Sequence, residues 1–131
     1  MGERFSIRAR LESFRHAGAG VRHLLATQHN ARIHLGFTLG VVAAGLVLGV
    51  SRLEWCALVL AIGLVWATEA LNTALESLAD ALRPDPHPLV GRAKDAAAGG
   101  VLLAALAAAG VGLLVLGPHL LAWLGWGETG S

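Results

Sequence analysis

"WCALVLAIGLVWATEALNTALESLAD", residues 55–80, opens as an apolar run suited to a bilayer and closes with Glu69, Asn72, Thr73, Glu76 and Asp80. On one continuous helix, positions three and four apart share a face. Those five residues then form a polar stripe opposite Leu71, Leu75, Leu78 and Leu82. A hydrocarbon core ~30 Å thick takes about 20 helical residues. With Trp55 at one interface, the other boundary falls near residue 75. At 1.5 Å per residue, Glu69 is sunk roughly 9 Å into hydrocarbon. Glu76 is then at the boundary and Asp80 among the headgroups. An ionised carboxylate in lipid costs several kcal/mol, so such acids mark functional or paired sites. A solvated exit turn explains Asp80 easily, Glu76 less well and Glu69 poorly.

The rest of the chain agrees with a bilayer setting. Of its 131 residues, 55% are apolar and 15% charged, where soluble domains carry about 25% charged residues. Two further apolar segments, 33–50 and 94–117, flank a second span of 53–82 that extends beyond the membrane. Backbone groups in lipid must be bonded internally, so the spans are expected to be helices. The fold class expected is an all-α membrane protein, one domain over 1–131. Residues 1–30 form a basic amphipathic surface region. Ile7, Leu11, Phe14, Val21 and Leu25 make its stripe, and Gly18 and Gly20 predict a break. "SRLE", 51–54, reads as a tight turn, and "RPDPHPLVGR", 83–92, as a loop that no helix can cross.

Six of the ten basic residues (Arg4, Arg8, Arg10, Arg15, Arg22, Arg32) precede residue 33, and three more (Arg83, Arg92, Lys94) surround the proline loop. By the positive-inside rule both regions are expected to be cytoplasmic. The "SRLE" turn and the "LAWLGWGETGS" tail then face the opposite side, with Trp55, Trp123 and Trp126 as interface anchors. No signal peptide is expected, since no apolar core follows the first charges. Cys56, the one cysteine, rules out an internal disulfide and reads as an inert core residue. Small residues four apart (Gly36 and Gly40, Gly45 and Gly49, Ala104 and Ala108) permit close helix approach. Three short spans cannot shield a carboxylate face alone, so a homo-oligomer is expected. No nucleic-acid partner is expected.

A second cluster lies in "GRAKDAAAGG", 91–100, which sets Lys94 and Asp95 where the third span enters the membrane, at the depth expected for Glu76. These charges could neutralise the stripe. Alternatively, Gly91 lets the backbone approach a ligand and Lys94 is a point cation suited to phosphate. Carboxylates, an amide, a lysine and a further acid at an interface suit Mg²⁺-assisted phosphoryl transfer. Glu69, the deepest acid, is the best general base. Neither a GxxxxGK[ST] loop nor a GxGxxG is present. The six histidines show no zinc spacing. His29, His34 and His87 lie near the cytoplasmic span ends and could line the site, although ordinary interface hydrogen bonding is the simpler reading of each.

"SFRHAGAGVRHLL", "HNARIH", "SRLEW", "EALNTALE" and "HPLVGRAKDAAAGGVLL" occur in the order and approximate spacing of a known family. In these segments the chain resembles the small prokaryotic diacylglycerol kinases and undecaprenol kinases over roughly residues 12–118. The resemblance implies a homotrimer with a surface helix and three transmembrane helices per subunit, in the bacterial inner (plasma) membrane. It also implies ATP and Mg²⁺ as cofactors and a membrane lipid hydroxyl as acceptor. "HNARIH" puts undecaprenol slightly ahead of diacylglycerol. By position, Glu69 is the implied base, with Asn72 and Asp95 in the catalytic site. Lys94, Asp95, Gly91 and His87 are implied for the nucleotide, Glu76 and Gln28 for metal, and Arg32 and Ala98, with Glu69, for the lipid. Asn30 also matches a motif position. Gln28 departs from the family pattern, standing where its best-studied members have a metal-binding glutamate. Two rival readings remain at this stage: a proton-coupled small transporter using Glu69, and a non-catalytic trimeric homologue.

Overall fold

The computed structural model describes residues 6–126. Arg4 of the basic cluster and residues 127–131 of the tail lie outside the described residues. Four helices follow in order: α1 (Ile7–Thr27), α2 (His29–Leu48), α3 (Arg52–Leu82) and α4 (Pro88–Trp123). The last three are long and apolar enough to cross a membrane, which makes this an all-α, multi-pass membrane protein.

α1 runs unbroken through Gly18 and Gly20, against the expected break. Each glycine costs about 1 kcal/mol relative to alanine, but both helix ends are tied. Ser6 Oγ accepts from the Ala9 amide at 3.4 Å. At the other end Arg32 Nε and Nη2 donate to the carbonyls of Leu25 and Ala26, at 3.0 and 2.6 Å. The apolar residues Ile7, Leu11, Phe14 and Val21 are all exposed, as an interfacial helix requires.

The α2–α3 turn is shorter than "SRLE", because Arg52 already belongs to α3. Ser51 Oγ accepts from the Glu54 amide while the Ser51 amide donates to Glu54 Oε2 at 2.6 Å, a capping box. Gly49 closes α2 at φ 69°, a left-handed conformation that disfavours any side chain. At Gly45 a Cβ would come within 2.7 Å of the Trp55 ring. The Gly45/Gly49 pair therefore serves this turn and the Trp55 ring, where the sequence suggested a helix-crossing motif. Cys56 is exposed on the apolar surface and is no core residue.

α4 starts at Pro88, six residues before the expected 94. Proline at the first helical position lacks only an amide that would be unbonded anyway, and His87 Nδ1 accepts from the Leu89 amide at 3.3 Å. The helix also continues past 117 through Pro118, forgoing one backbone hydrogen bond.

α3 and α4 form the main antiparallel pair, pinned at both ends by polar contacts. Lys94 Nζ bonds Asp80 Oδ1 at the loop end. His119 Nε2 meets Glu54 Oε1 at 3.0 Å at the other. From Glu54 to Asp80 the helix rises about 39 Å at 1.5 Å per residue, close to the ~40–45 Å of a bilayer with its headgroups. The two pins thus bracket a membrane. Between them the apolar core is small: Leu58 and Val65 on α3 are buried, as are Val101 and Ala104 on α4. Leu46, Val47, Leu60, Leu102, Leu113 and Leu114 stay largely exposed. An apolar surface of this extent belongs in lipid or against another subunit.

Candidate active site

The polar stripe of α3 splits in the fold into a buried half and an exposed half. Glu69 is 1% exposed, Thr73 5% and Asn72 9%. Glu76 is half-buried and Asp80 exposed. Leu71, Leu75, Leu78 and Leu82 on the other face are all exposed, so the helix points its acids inward and its leucines outward.

Asn72 Nδ2 donates to Glu76 Oε1 at 3.2 Å, fixing that carboxylate one turn away. Four polar atoms here are buried with no hydrogen-bond partner: Glu69 Oε2, Asn72 Oδ1, Thr73 Oγ1 and, from α2, His34 Nε2. Each such orphan costs about 1–3 kcal/mol, so a cluster of four is a place that a ligand would complete. Three of the four are oxygens, and with Glu76 beside them they suit a hard cation such as Mg²⁺. Among the described residues no three His, Cys, Asp or Glu side chains come together as a ready metal cage. Mg²⁺ typically takes only one or two carboxylates and fills its other positions with water and phosphate oxygens.

The second half of the site surrounds the proline loop. A shallow groove of about 620 Å³ is lined by Asp80, Arg83, Asp85, His87, Gly91 and Lys94, with the loop prolines. His87, Gly91 and Lys94, expected near a nucleotide, are therefore brought together. Lys94 reaches Asp80, one turn beyond Glu76, where the sequence set it level with Glu76. Asp95 and Ala98 follow on α4, both exposed. Eleven residues, or about 16 Å of helix, separate Glu69 from Asp80. The chain thus presents a deep polar cluster and a surface groove of mixed charge without joining them.

The remaining expected residues are engaged otherwise. The Gln28 side chain donates to Thr27 Oγ1 at 3.4 Å and bonds no acid of the cluster. Its backbone is both the C-cap of α1 and the N-cap of α2. Arg32 caps the last carbonyls of α1, a role with no sequence signature. His34 Nε2 lies 3.9 Å from Glu69 Oε2. The sequence put His34 among the histidines that could line the site but gave no sign of which acid it meets. The Thr38–Trp66 bond (3.0 Å) likewise emerges only from packing.

Comparison with known proteins gives this geometry a context. Residues 15–116 match the family model described as prokaryotic diacylglycerol kinase. The chain is 38% identical over 109 residues to an undecaprenol kinase of Bacillus subtilis (strain 168), covering 83% of this chain and 89% of that one. It is 46% identical over 112 residues to a diacylglycerol kinase of Synechocystis sp., covering 85% of this chain and 64% of that one.

Proposed function

Because this chain belongs to the prokaryotic diacylglycerol kinase family and is a lipid kinase that uses ATP, we propose that it phosphorylates the primary hydroxyl of undecaprenol at the cytoplasmic membrane interface, as a homotrimer using Mg²⁺. The observation that carries this reading is the buried, unpartnered carboxylate of Glu69 beside Asn72, Thr73 and Glu76. A base below the headgroups is where a hydroxyl carried by a lipid arrives. A base for a soluble acceptor would have no reason to be there.

The residues divide the work by depth. Glu69 takes the acceptor's proton as the hydroxyl oxygen attacks the γ-phosphorus and the bond to ADP breaks. Glu76, held by Asn72, is the protein ligand for Mg²⁺, which when bound offsets charge on the phosphate oxygens. Lys94, with Gly91 and His87 in the loop groove, receives the phosphates, and Asp95 and Ala98 lie on the adjoining turn of α4. The transporter and non-catalytic readings fall away with the family assignment. The trimer reading is supported by the exposed apolar faces of α2–α4 and by the separation of the two half-sites, which a neighbouring subunit can close. The basic residues of α1 and of the proline loop support a cytoplasmic location for that end.

Undecaprenol is preferred because the "HNARIH" segment resembles the undecaprenol kinases more than the diacylglycerol kinases; overall identity to the two relatives, 38% and 46%, does not separate the acceptors. Labelled γ-phosphate transfer to undecaprenol, diacylglycerol and ceramide in parallel tests this. The expected order of kcat/KM places undecaprenol first. A diacylglycerol preference would overturn the acceptor assignment, and no transfer to any of the three at high Mg²⁺ would overturn the reaction.

A further inference from the structure

His34 and Glu69 face each other from α2 and α3, and each presents a buried atom with no partner of its own. Their separation is 3.9 Å, about 1 Å beyond a hydrogen bond, which a small side-chain rotation closes. The neighbourhood is otherwise poor in polar groups. α3 contributes Asn72, Thr73 and, a further turn on, Glu76. α4 contributes Val101 and Ala104 to the core, and its one nearby cation, Lys94, is committed to Asp80. Among the described residues His34 is the one titratable group bound to another helix that approaches Glu69.

Its placement is fixed by a second contact. One turn along α2, Thr38 Oγ1 accepts from Trp66 Nε1 at 3.0 Å, and Trp66 precedes Glu69 by three residues. That bond holds α2 and α3 in the register that aims His34 at Glu69. An ionised carboxylate has only lone pairs to offer, so the imidazole must supply the hydrogen between them. The partner thus selects the tautomer: hydrogen on Nε2, lone pair on Nδ1.

We propose that His34 is the positioning residue for the base of the proposed kinase reaction. Its Nε2–H donates to Glu69 Oε2, holding the carboxylate turned so that Oε1 faces the lipid hydroxyl. When that hydroxyl loses its proton to Oε1, the His34 hydrogen bond stays in place and His34 itself gains and loses nothing. This inference rests on Glu69 being the base.

The test uses four variants of the full-length protein in lipid, assayed for kcat and for KM of MgATP and of acceptor. H34L removes the donor and keeps apolar volume. H34N keeps a polar side chain too short to reach. H34Q restores an N–H at about the Nε2 position, and E69Q removes the base. We expect H34L and H34N to lose roughly tenfold to hundredfold in kcat, less than the roughly 10²–10⁴-fold that the base itself supplies, with both KM values little changed. H34Q should regain most of that loss. Adding H34N to E69Q should lower residual turnover no further. H34N within twofold of wild type in kcat, or H34Q no better than H34N, overturns the positioning role. E69Q retaining wild-type turnover would instead overturn the base assignment, whatever the histidine variants do.

Discussion

α3 carries two acids that each face a histidine from a neighbouring helix, and they live under opposite conditions. At its Ser51 end, Glu54 closes a capping box, meets His119 at 3.0 Å, and both its oxygens are bonded. Just past the middle of the helix, Glu69 is buried, lies 3.9 Å from His34, and has an oxygen that nothing satisfies. The residue types are the same, and burial and satisfaction differ. A polar group whose partners are all present needs no ligand and contributes to structure. One kept buried without partners is destabilising unless something else completes it, so it marks the place where substrate and metal enter.

The contrast can be sharpened by variants on either side of it. Apart from the base itself, the largest effect is expected at Glu76→Ala, which removes the proposed metal ligand. Turnover should fall by roughly a hundredfold, with weaker MgATP binding measured by equilibrium titration; unchanged nucleotide affinity would show that Glu76 is no ligand. Lys94→Met should raise KM for MgATP about tenfold, the scale of one charge-assisted contact. A KM equal to wild type would confine Lys94 to its exposed pair with Asp80, worth at most about 1 kcal/mol. Gln28→Glu should lower the Mg²⁺ concentration for half-maximal activity a few-fold, by adding a charge where the amide has none. No change in either activity or Mg²⁺ demand would exclude Gln28 from the metal site. His119→Ala, on the satisfied side, should lower Tm by only a few degrees and leave kcat and KM where they are. A kinetic effect there would break the division between the two ends.

Much of this molecule was legible from periodicity. The three spans, the polar stripe on α3 and the outward leucines all follow from spacing that repeats with the helical turn. What escaped the sequence has physical reasons. Proline is a breaker inside a helix but harmless at its first position, so the start of α4 hinged on whether His87 could cap it. Gly18 and Gly20 weaken a helix only as far as its ends are free, and Arg32 ties one of them from six or seven residues away. The pairing of Lys94 with Asp80 depends on the register of two helices, which composition does not encode. His34 is the sharpest case: its approach to Glu69 is a product of the Thr38–Trp66 contact and is invisible until the helices are packed.

The most direct measurement makes the same chemical change to both acids, Glu69→Gln and Glu54→Gln, and follows labelled γ-phosphate into lipid at saturating MgATP and acceptor. A base at Glu69 requires that variant to lose at least about a hundredfold in turnover while it still assembles and binds MgATP, with Glu54→Gln close to wild type. Equal losses in the two variants, or a Glu69→Gln protein that keeps more than a tenth of wild-type transfer, would contradict the assignment of the unsatisfied acid as the reacting one.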